Sequence, residues 1–318
     1  MKTALITGIS GQDGGYLAKL LLSKGYKVIG LSRSYRHLEL GNLEYLKINK
    51  DVLVEECDLM DFTRISKIIK EHKPTEIYNL AAQSSVGISF KEPIGTIRFN
   101  TISLLNILEA VKEIDPTIKV YQASSSEMYG KTEKLPITEK TPFNPLSPYA
   151  VSKASAHFIA QNYRHSYNLF VSCGILFNHE SYLRSKNFFV KKVITECIKI
   201  ARGQQEKLVV GNIDIRRDFG YAPKYIEAIH KIMTHDKADD FIICSGASIS
   251  LREIVEHTFK RFNISIDKLE ISDTFFRPDD ILNNYGDNTK AKVELNWNYN
   301  HSFIEILDWL IDEELKNS

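Results

Sequence analysis

The side chains best suited to acid–base chemistry lie between Ser124 and Lys153. Ser124-Ser125-Ser126-Glu127-Met128-Tyr129-Gly130 follows an apolar stretch, Ile118 to Ala123, that reads as a buried strand. Small hydroxyls and a carboxylate at the carboxyl end of a strand mark the place where open α/β sheets bind ligands. A polar, proline-dotted loop then leads to Ser147-Pro148-Tyr149-Ala150-Val151-Ser152-Lys153. Pro148 suits the first turn of a helix, where its missing N–H is not needed. Tyr149 and Lys153 then stand one turn apart on one face. An ammonium beside a phenol favours the phenolate, so the expectation is a tyrosine pKa drawn below its usual value of about 10, towards a base. A lone Tyr-x-x-x-Lys is more often a solvated pair. Here it follows a dinucleotide-type start and a Ser/Glu strand end, and that context reverses the balance.

The elements before it must hold a cofactor in reach. Lys2 to Thr7 reads as a short apolar strand, and Gly8, Gly11 and Gly14 follow at three-residue spacing with Gln12 and Asp13 between the last two. Tyr16, Leu17, Leu20 and Leu21 then make a helical stripe. Strand, glycine turn and helix together let backbone N–H groups and a helix N-terminus meet a pyrophosphate. A plain turn before a helix is the competing reading. The second strand is Tyr26 to Leu31. An NAD site usually places a carboxylate just after it, but this chain has Ser32-Arg33-Ser34 with Arg36 nearby. An arginine there suits a 2′-phosphate, so NADP is expected rather than NAD. Val52 to Cys57 reads as the third strand. Asp58-Leu59 ends it, and Asp58 either meets the adenine amine or caps the helix beginning near Asp61. Thr75 to Leu80 is the fourth, ending in Ala81-Ala82-Gln83-Ser84-Ser85, whose small residues leave room for a flat cofactor. Ile97, Thr101, Leu104, Leu108 and Val111 alternate steps of four and three, which predicts a helix with all five in the core.

Beyond the Tyr149–Lys153 helix, Leu169 to Leu176 reads as a strand ending in Phe177-Asn178-His179-Glu180-Ser181. Arg184, Lys186, Lys191 and Lys192 crowd a segment that turns helical around Asn187, placed for a substrate phosphate or else simply solvated. Val209 to Phe219 reads as a strand and then a charged turn through Arg216-Arg217-Asp218. A helix from Tyr221 to His235 and a strand Phe241 to Cys244 follow. Ser250 is expected to cap a helix through Phe262, with Glu253 completing a capping box. Arg277-Pro278-Asp279-Asp280 is a second charged turn, and a last helix spans roughly Ser302 to Leu315. With no repeat and no linker, two lobes are expected to be interleaved. Residues 1–176, with 212–247 returning, form a dinucleotide-binding unit. Residues 177–211 and 248–318 form a substrate lobe.

A chain of 318 residues with 43% hydrophobic and 25% charged residues can bury such a core. Its 41 basic and 40 acidic residues leave a formal charge of +1, which argues for neither nucleic acid nor a membrane surface as partner. Cys57, Cys173, Cys197 and Cys244 form no Cys-x-x-Cys pair and suit buried free thiols. Thr3 to Thr7 is too short an apolar run for a signal peptide, so a cytoplasmic, soluble protein without a metal is expected.

These features resemble the extended short-chain dehydrogenase/reductases, and within them the GDP-mannose 4,6-dehydratases, over nearly the whole chain. The most specific pieces are Thr7-Gly8-Ile9-Ser10-Gly11-Gln12-Asp13-Gly14, Asn79 to Ser84, Tyr121 to Gly130, Leu176 to Ser181 and Gly211 to Gly220. The resemblance implies an α/β fold: a Rossmann-type doubly wound parallel sheet with a smaller interleaved α/β substrate-binding lobe. It implies NADP as cofactor, contacted by Gly8, Gly11, Gln12, Asp13, Gly14, Arg33, Asp58, Leu59, Leu80, Ala81, Ala82, Ser84, Tyr149, Lys153, His179 and Arg184. In the family the last two lie on a loop that reaches a neighbouring subunit, within a homodimer or homotetramer. It implies Ser125, Glu127, Tyr149 and Lys153 as catalytic. Ser85, Ser126, Asn178, Lys192, Arg217 and Arg277 would meet a GDP-linked sugar. Where some related dehydratases have an aspartate next to the glutamate, this chain has Ser126, so Glu127 is expected to act first as base and then as acid. Departures are a shorter stretch between Arg36 and Val52, Ser85-Val86-Gly87 in place of a bulkier His-Val-Lys type of sequence, and Gly95 near a cofactor-contacting tyrosine of the family. The implied reaction is a 4,6-dehydration of GDP-mannose. The alternatives are a GDP-heptose or GDP-N-acetylglucosamine substrate, a reductase or 4-epimerase that has no use for Glu127, and a non-catalytic NADP-binding sensor.

Overall fold

The computed structural model describes residues 1–34, 40–276 and 279–317. Its strands are β1 (Thr3–Thr7), β2 (Lys27–Ser32), β3 (Leu53–Glu56), β4 (Glu76–Asn79), β5 (Lys119–Ser125), β6 (Val171–Leu176), β7 (Asn178–Glu180), β8 (Leu208–Val210), β9 (Arg216–Tyr221), β10 (Asp240–Ile243), β11 (Ser248–Ser250), β12 (Leu269–Ile271) and β13 (Asn283–Asn284). The helices are α1 (Gln12–Ser23), α2 (Gly41–Tyr45), α3 (Phe62–His72), α4 (Val86–Lys91), α5 (Pro93–Ile114), α6 (Pro148–Tyr167), α7 (Phe189–Ala201), α8 (Ala222–Thr234), α9 (Leu251–Arg261), α10 (Thr289–Glu294) and α11 (Phe303–Asn317).

Seven strands form one sheet in the order β10-β6-β5-β4-β1-β2-β3, and every pairing in it is parallel. Strands covered on both faces need continuous apolar runs, and Ala4, Leu5 and Ile6 are at most 1% exposed. One face packs on α1 and α8 through Leu17, Leu21, Ile229 and Ile232. The other packs on α3, α5 and α6 through Ile65, Leu104, Leu108 and Ala156. The chain order reverses beside β1, so the ends of β1 and β4 diverge into a crevice at the sheet's carboxyl edge. This is the doubly wound, Rossmann-like sheet that the pattern predicted.

Residues after β6 build a second layer over that edge. β9 pairs with β7, β11 and β13, and β8 pairs with β12. A third core, from α7, α9 and α11, lies behind them. α8 and β10 return to the large sheet, whereas β9 belongs to the small one.

Two local expectations are corrected. Arg216-Arg217-Asp218 is not a charged turn but the start of β9. Period-two alternation sends Arg216 towards Glu253 and buries Arg217 on a carboxylate, so charge density misled where pairing decided. In α5, Leu104, Leu108 and Val111 are fully buried, but Ile97 is 38% exposed and Thr101 half-buried. In the helix's first turns the buried face is carried by the polar Thr96 and Asn100 instead. The capping box of α9 forms as expected: Ser250 and Glu253 each accept the other's backbone N–H.

Candidate active site

The glycine turn and the start of α1 show what only glycine permits. Gly8 has φ +71°, and a Cβ on Gly14 would lie 2.2 Å from the Gly8 carbonyl oxygen. Gly11, at the N-cap, offers no side chain to the first N–H groups of α1, which stay open to an anion. Thr7 ties this turn to β4, its hydroxyl accepting from Leu80 N at 3.0 Å and Ala81 N at 2.9 Å.

From the turn a cleft of about 1010 Å³ runs along the sheet's carboxyl edge to the second layer. It brings together Asp13, Leu80, Ala82, Ser84 and Ser85 with Ser125, Ser126, Glu127, Tyr149 and Lys153. Asn178, His179, Arg184 and Lys192 line its far side. α6 is aimed by its cap, Ser147 Oγ accepting from Ala150 N at 3.1 Å, with Pro148 in the first turn. Tyr149 hydrogen-bonds Ser125, and the Ser125 hydroxyl accepts from Glu127 N at 3.3 Å. Strand end, carboxylate and phenol therefore form one constellation.

The electrostatics differ from expectation. Lys153 donates to the Ala123 carbonyl at 2.9 Å, with its Nζ 5.9 Å from the Tyr149 ring centre. Burial pushes the phenol up to about 12, and the Glu127 charge adds to this against pulls from Ser125 and Arg184. Burial also lowers the lysine to about 8. The lysine is not among the groups that shift the phenol here, and desolvation dominates on both side chains.

His179 does not reach away from the cleft. It stacks on Tyr225 at 4.8 Å, lies 2.7 Å from the Phe177 carbonyl through Nδ1, and meets Asp13 through Nε2 at 2.9 Å. Burial alone would raise the Asp13 carboxyl, yet His179, with Gln12 and Arg184, brings it down to about 2. Burial works to lower the His179 pKa, but the Asp13 carboxylate outweighs it and raises it. The Gln12 amide is spent on His179 O at 3.2 Å and Ser181 Oγ at 2.7 Å, so it braces the turn. Arg184 stacks on Phe188 at 3.6 Å, and its Nε pairs with the buried Glu180 carboxylate at 3.5 Å. A glycine cradle at a helix N-terminus fits a dinucleotide's phosphates, and the Arg184 guanidinium, though paired with Glu180, stands at the wall of the same cleft.

Other expected residues sit less directly. Arg33 is exposed just past β2, and Arg36 lies outside the described residues. Asp58 is exposed and accepts from Met60 N at 2.9 Å. Asp61, not Asp58, caps α3 by accepting from Arg64 N at 3.0 Å. Leu59 is buried beside it. Asn178 donates to Asp218 O at 3.3 Å, and Lys192 donates to Val209 O at 2.7 Å while covering Phe275. Arg217 is buried behind the wall, 2.9 Å from Asp280, which does line the cleft. Arg277 lies outside the described residues.

Sequence reasoning gave no site role to Val210, Gly211 and Asn212, although Gly211 opens one of the pieces that carry the resemblance, nor to Thr274 to Phe276; both segments line the cleft. A Cβ on Gly211 would lie 2.9 Å from Phe275 O, so the two segments touch through their backbones. The signal available was a glycine directly after an apolar strand.

With this geometry in view, the relatives are informative. The family described as GDP-mannose 4,6 dehydratase matches residues 5–309. The human GDP-mannose 4,6 dehydratase is 40% identical over 339 residues, covering 98% of this chain and 91% of that protein. The Vibrio cholerae GDP-mannose 4,6-dehydratase is 35% identical over 350 residues, covering 99% and 94%. Among solved structures, a dTDP-glucose 4,6-dehydratase from Bacillus anthracis in complex with NAD superposes with a TM-score of 0.87 at 23% identity, covering 100% of this chain and 97% of that one. A likeness that distant supports the fold, whereas the sequence match runs through the glycine turn, the Ser/Glu strand end and the Tyr/Lys helix alike. The chain belongs to the GDP-mannose 4,6-dehydratase family.

Proposed function

We propose that this protein is a hydro-lyase that converts GDP-mannose, or a closely related GDP-hexose, into its 4-keto-6-deoxy form with NADP as resident cofactor. The observation that carries this is the joining of Ser125, Glu127 and Tyr149 by one hydrogen-bonded strand end, in a cleft that begins at the glycine turn. A reductase or epimerase would have no use for the carboxylate.

Residues 1–176, with α8 and β10, would act as the dinucleotide-binding lobe, and the layer over the sheet edge as the sugar-nucleotide lobe. The open N–H groups of α1 would hold the cofactor's pyrophosphate, Arg33 its 2′-phosphate, and Leu80, Ala81, Ala82 and Ser84 its flat rings. Lys153 would hold the nicotinamide ribose, and Arg184 a phosphate oxygen. When bound, the nicotinamide would supply, in its oxidised form, a hydride acceptor for C4 and a positive charge beside the phenol, and, once reduced, the hydride donor for C6. Tyr149 Oη takes the proton of the sugar's 4-hydroxyl, helped by that charge against a resting pKa of about 12. Ser125 Oγ donates to O4 as it becomes a carbonyl. The ketone acidifies C5–H, and the Glu127 carboxylate removes that proton. Glu127 then gives it to the departing 6-hydroxyl, which leaves as water. Tyr149 returns its proton for C5, so substrate equals product plus water. Asn178, Lys192 and the Arg217–Asp280 pair would hold the GDP moiety, with Ser85 and Ser126 at the sugar. The exposed apolar Ile94, Ile97, Val151 and Phe158 on α5 and α6 support assembly as a homodimer or homotetramer, which sedimentation would read directly.

The test is a mass and ultraviolet assay against a panel of GDP-hexoses without added reductant. Loss of about 18 mass units with no net NADPH change supports dehydration. Unchanged mass with altered stereochemistry, or NADPH consumed, would overturn it.

A further inference from the structure

Three consecutive residues of β5 hold three residues of α6 spaced one turn apart. Ser125 bonds Tyr149, the Ala123 carbonyl accepts from Lys153 at 2.9 Å, and Ser124 Oγ lies 2.9 Å from His157 Nδ1. Positions 149, 153 and 157 follow the helix's four-residue step on one face. The first two rungs carry the acid–base pair. The third has no part in the chemistry above, yet both its partners are buried, at 3% and 1% exposure.

The far side of the imidazole is built with equal care. His157 Nε2 lies 3.2 Å from the Gln161 amide nitrogen, which itself donates to Asp240 at 2.8 Å. Nε2 also faces the Asp240 carboxylate at 3.5 Å, so either ring tautomer finds a partner there, and Nδ1 bonds the Ser124 hydroxyl as donor in one and acceptor in the other. Phe143 packs edge-on against the ring at 5.1 Å. Cys173 also lies close, and His157, Cys173 and Asp240 keep their ligand atoms within 4.8 Å of one another. Arg164 already pairs with Asp240, however, so the cluster favours hydrogen bonds over a cation. Ser124 lines the active cleft, whereas His157 lines a separate cleft of about 350 Å³. One hydrogen bond is thus part of the wall between them.

We propose that His157 is a positioning residue: by holding Ser124 it locks the end of β5 against α6, so that Ser125 and Tyr149 meet the sugar's O4 in register. This rests on the dehydratase reading. β5 runs straight into a single 3₁₀ turn, Ser126–Tyr129, and the Ser124 rung fixes its last residues at buried depth, where such bonds are strong.

The test uses Ser124→Ala, His157→Phe, which keeps a packed ring, and His157→Asn, which keeps an N–H near the Nδ1 position. Each is assayed on the active GDP-hexose and its 4-deuterated form, with melting temperature and NADPH affinity measured alongside. Because misplacement of about 1 Å can slow a reaction by up to ~100-fold, Ser124→Ala and His157→Phe should each lower kcat about tenfold or more at nearly constant KM. They should raise the deuterium isotope effect on kcat, as hydride transfer becomes limiting. The double variant should be no worse than its weaker parent, and His157→Asn should recover most of the loss. Wild-type kcat in Ser124→Ala overturns the proposal, as does a loss that only follows melting temperature with the isotope effect unmoved. If His157→Phe does not fold, Ser124→Ala and His157→Asn decide it by the same criteria. A wild-type chain that dehydrates no GDP-hexose overturns the functional reading instead. The His157–Ser124 bond is then read from the imidazole ¹⁵N shifts, which Ser124→Ala must move if the bond exists.

Discussion

Glu127, just past the end of β5, and Tyr149, in the first turn of α6, meet in one cleft, and their roles separate under substitution. Glu127→Gln should stop elimination while leaving slow oxidation at C4, seen as cofactor reduction in a single turnover with no loss of water from the sugar. Ordinary turnover by that variant would remove the carboxylate from the mechanism. Tyr149→Phe should lower kcat by ~10²–10⁴, the usual weight of a positioned general acid–base group. The pair was legible because hydroxyl, carboxylate and Tyr-x-x-x-Lys are local signals. The phenol's resting protonation was not, since it depends on a burial that no spacing encodes.

At the scale of elements, the glycine turn and α1 are tested by Gly14→Ala. The new methyl carbon would stand 2.2 Å from Gly8 O, a backbone atom that cannot swing aside. Overpacking of this kind costs about 1–3 kcal/mol, so the variant should melt earlier and lose NADPH affinity together. The capping box on α9 stands beside Leu251, which lines the cleft, but Ser250 and Glu253 themselves do not line it. Ser250→Ala should cost about 1 kcal/mol in urea unfolding with kcat unchanged. Strands and helices were readable from periodicity wherever one rule governed them. At Arg216 to Asp218 two rules competed, and the period-two pairing of β9 with β11 overrode the polar composition.

For the whole molecule, Asp13 and His179 join the glycine turn of the large sheet to β7 of the small one. Asp13 is held down to about 2 from an ordinary 3.8, so its contribution is present above about pH 4 and fades as pH falls through about 2. His179 is held above its ordinary 6.5, so its contribution is complete below that value and is lost as pH rises through the raised one. The difference in unfolding free energy between wild type and His179→Phe should therefore be largest between about pH 4 and 6.5, on the order of 2 kcal/mol. A flat difference from pH 3 to 9 would show that the histidine contributes packing alone.

The sequence by itself determined the parallel sheet, the glycine turn, the Ser/Glu strand end and the helix that presents Tyr149 and Lys153. Each of these is a short-range pattern of period, cap or spacing. Only the tertiary structure decided that His179 turns inward onto Asp13, that Arg217 is spent on Asp280, and that Gly211 and Phe275 close the distal end of the cleft. Those pairings join residues from 63 to 166 positions apart, and which partner a charged side chain finds at that separation is settled by how the two layers pack.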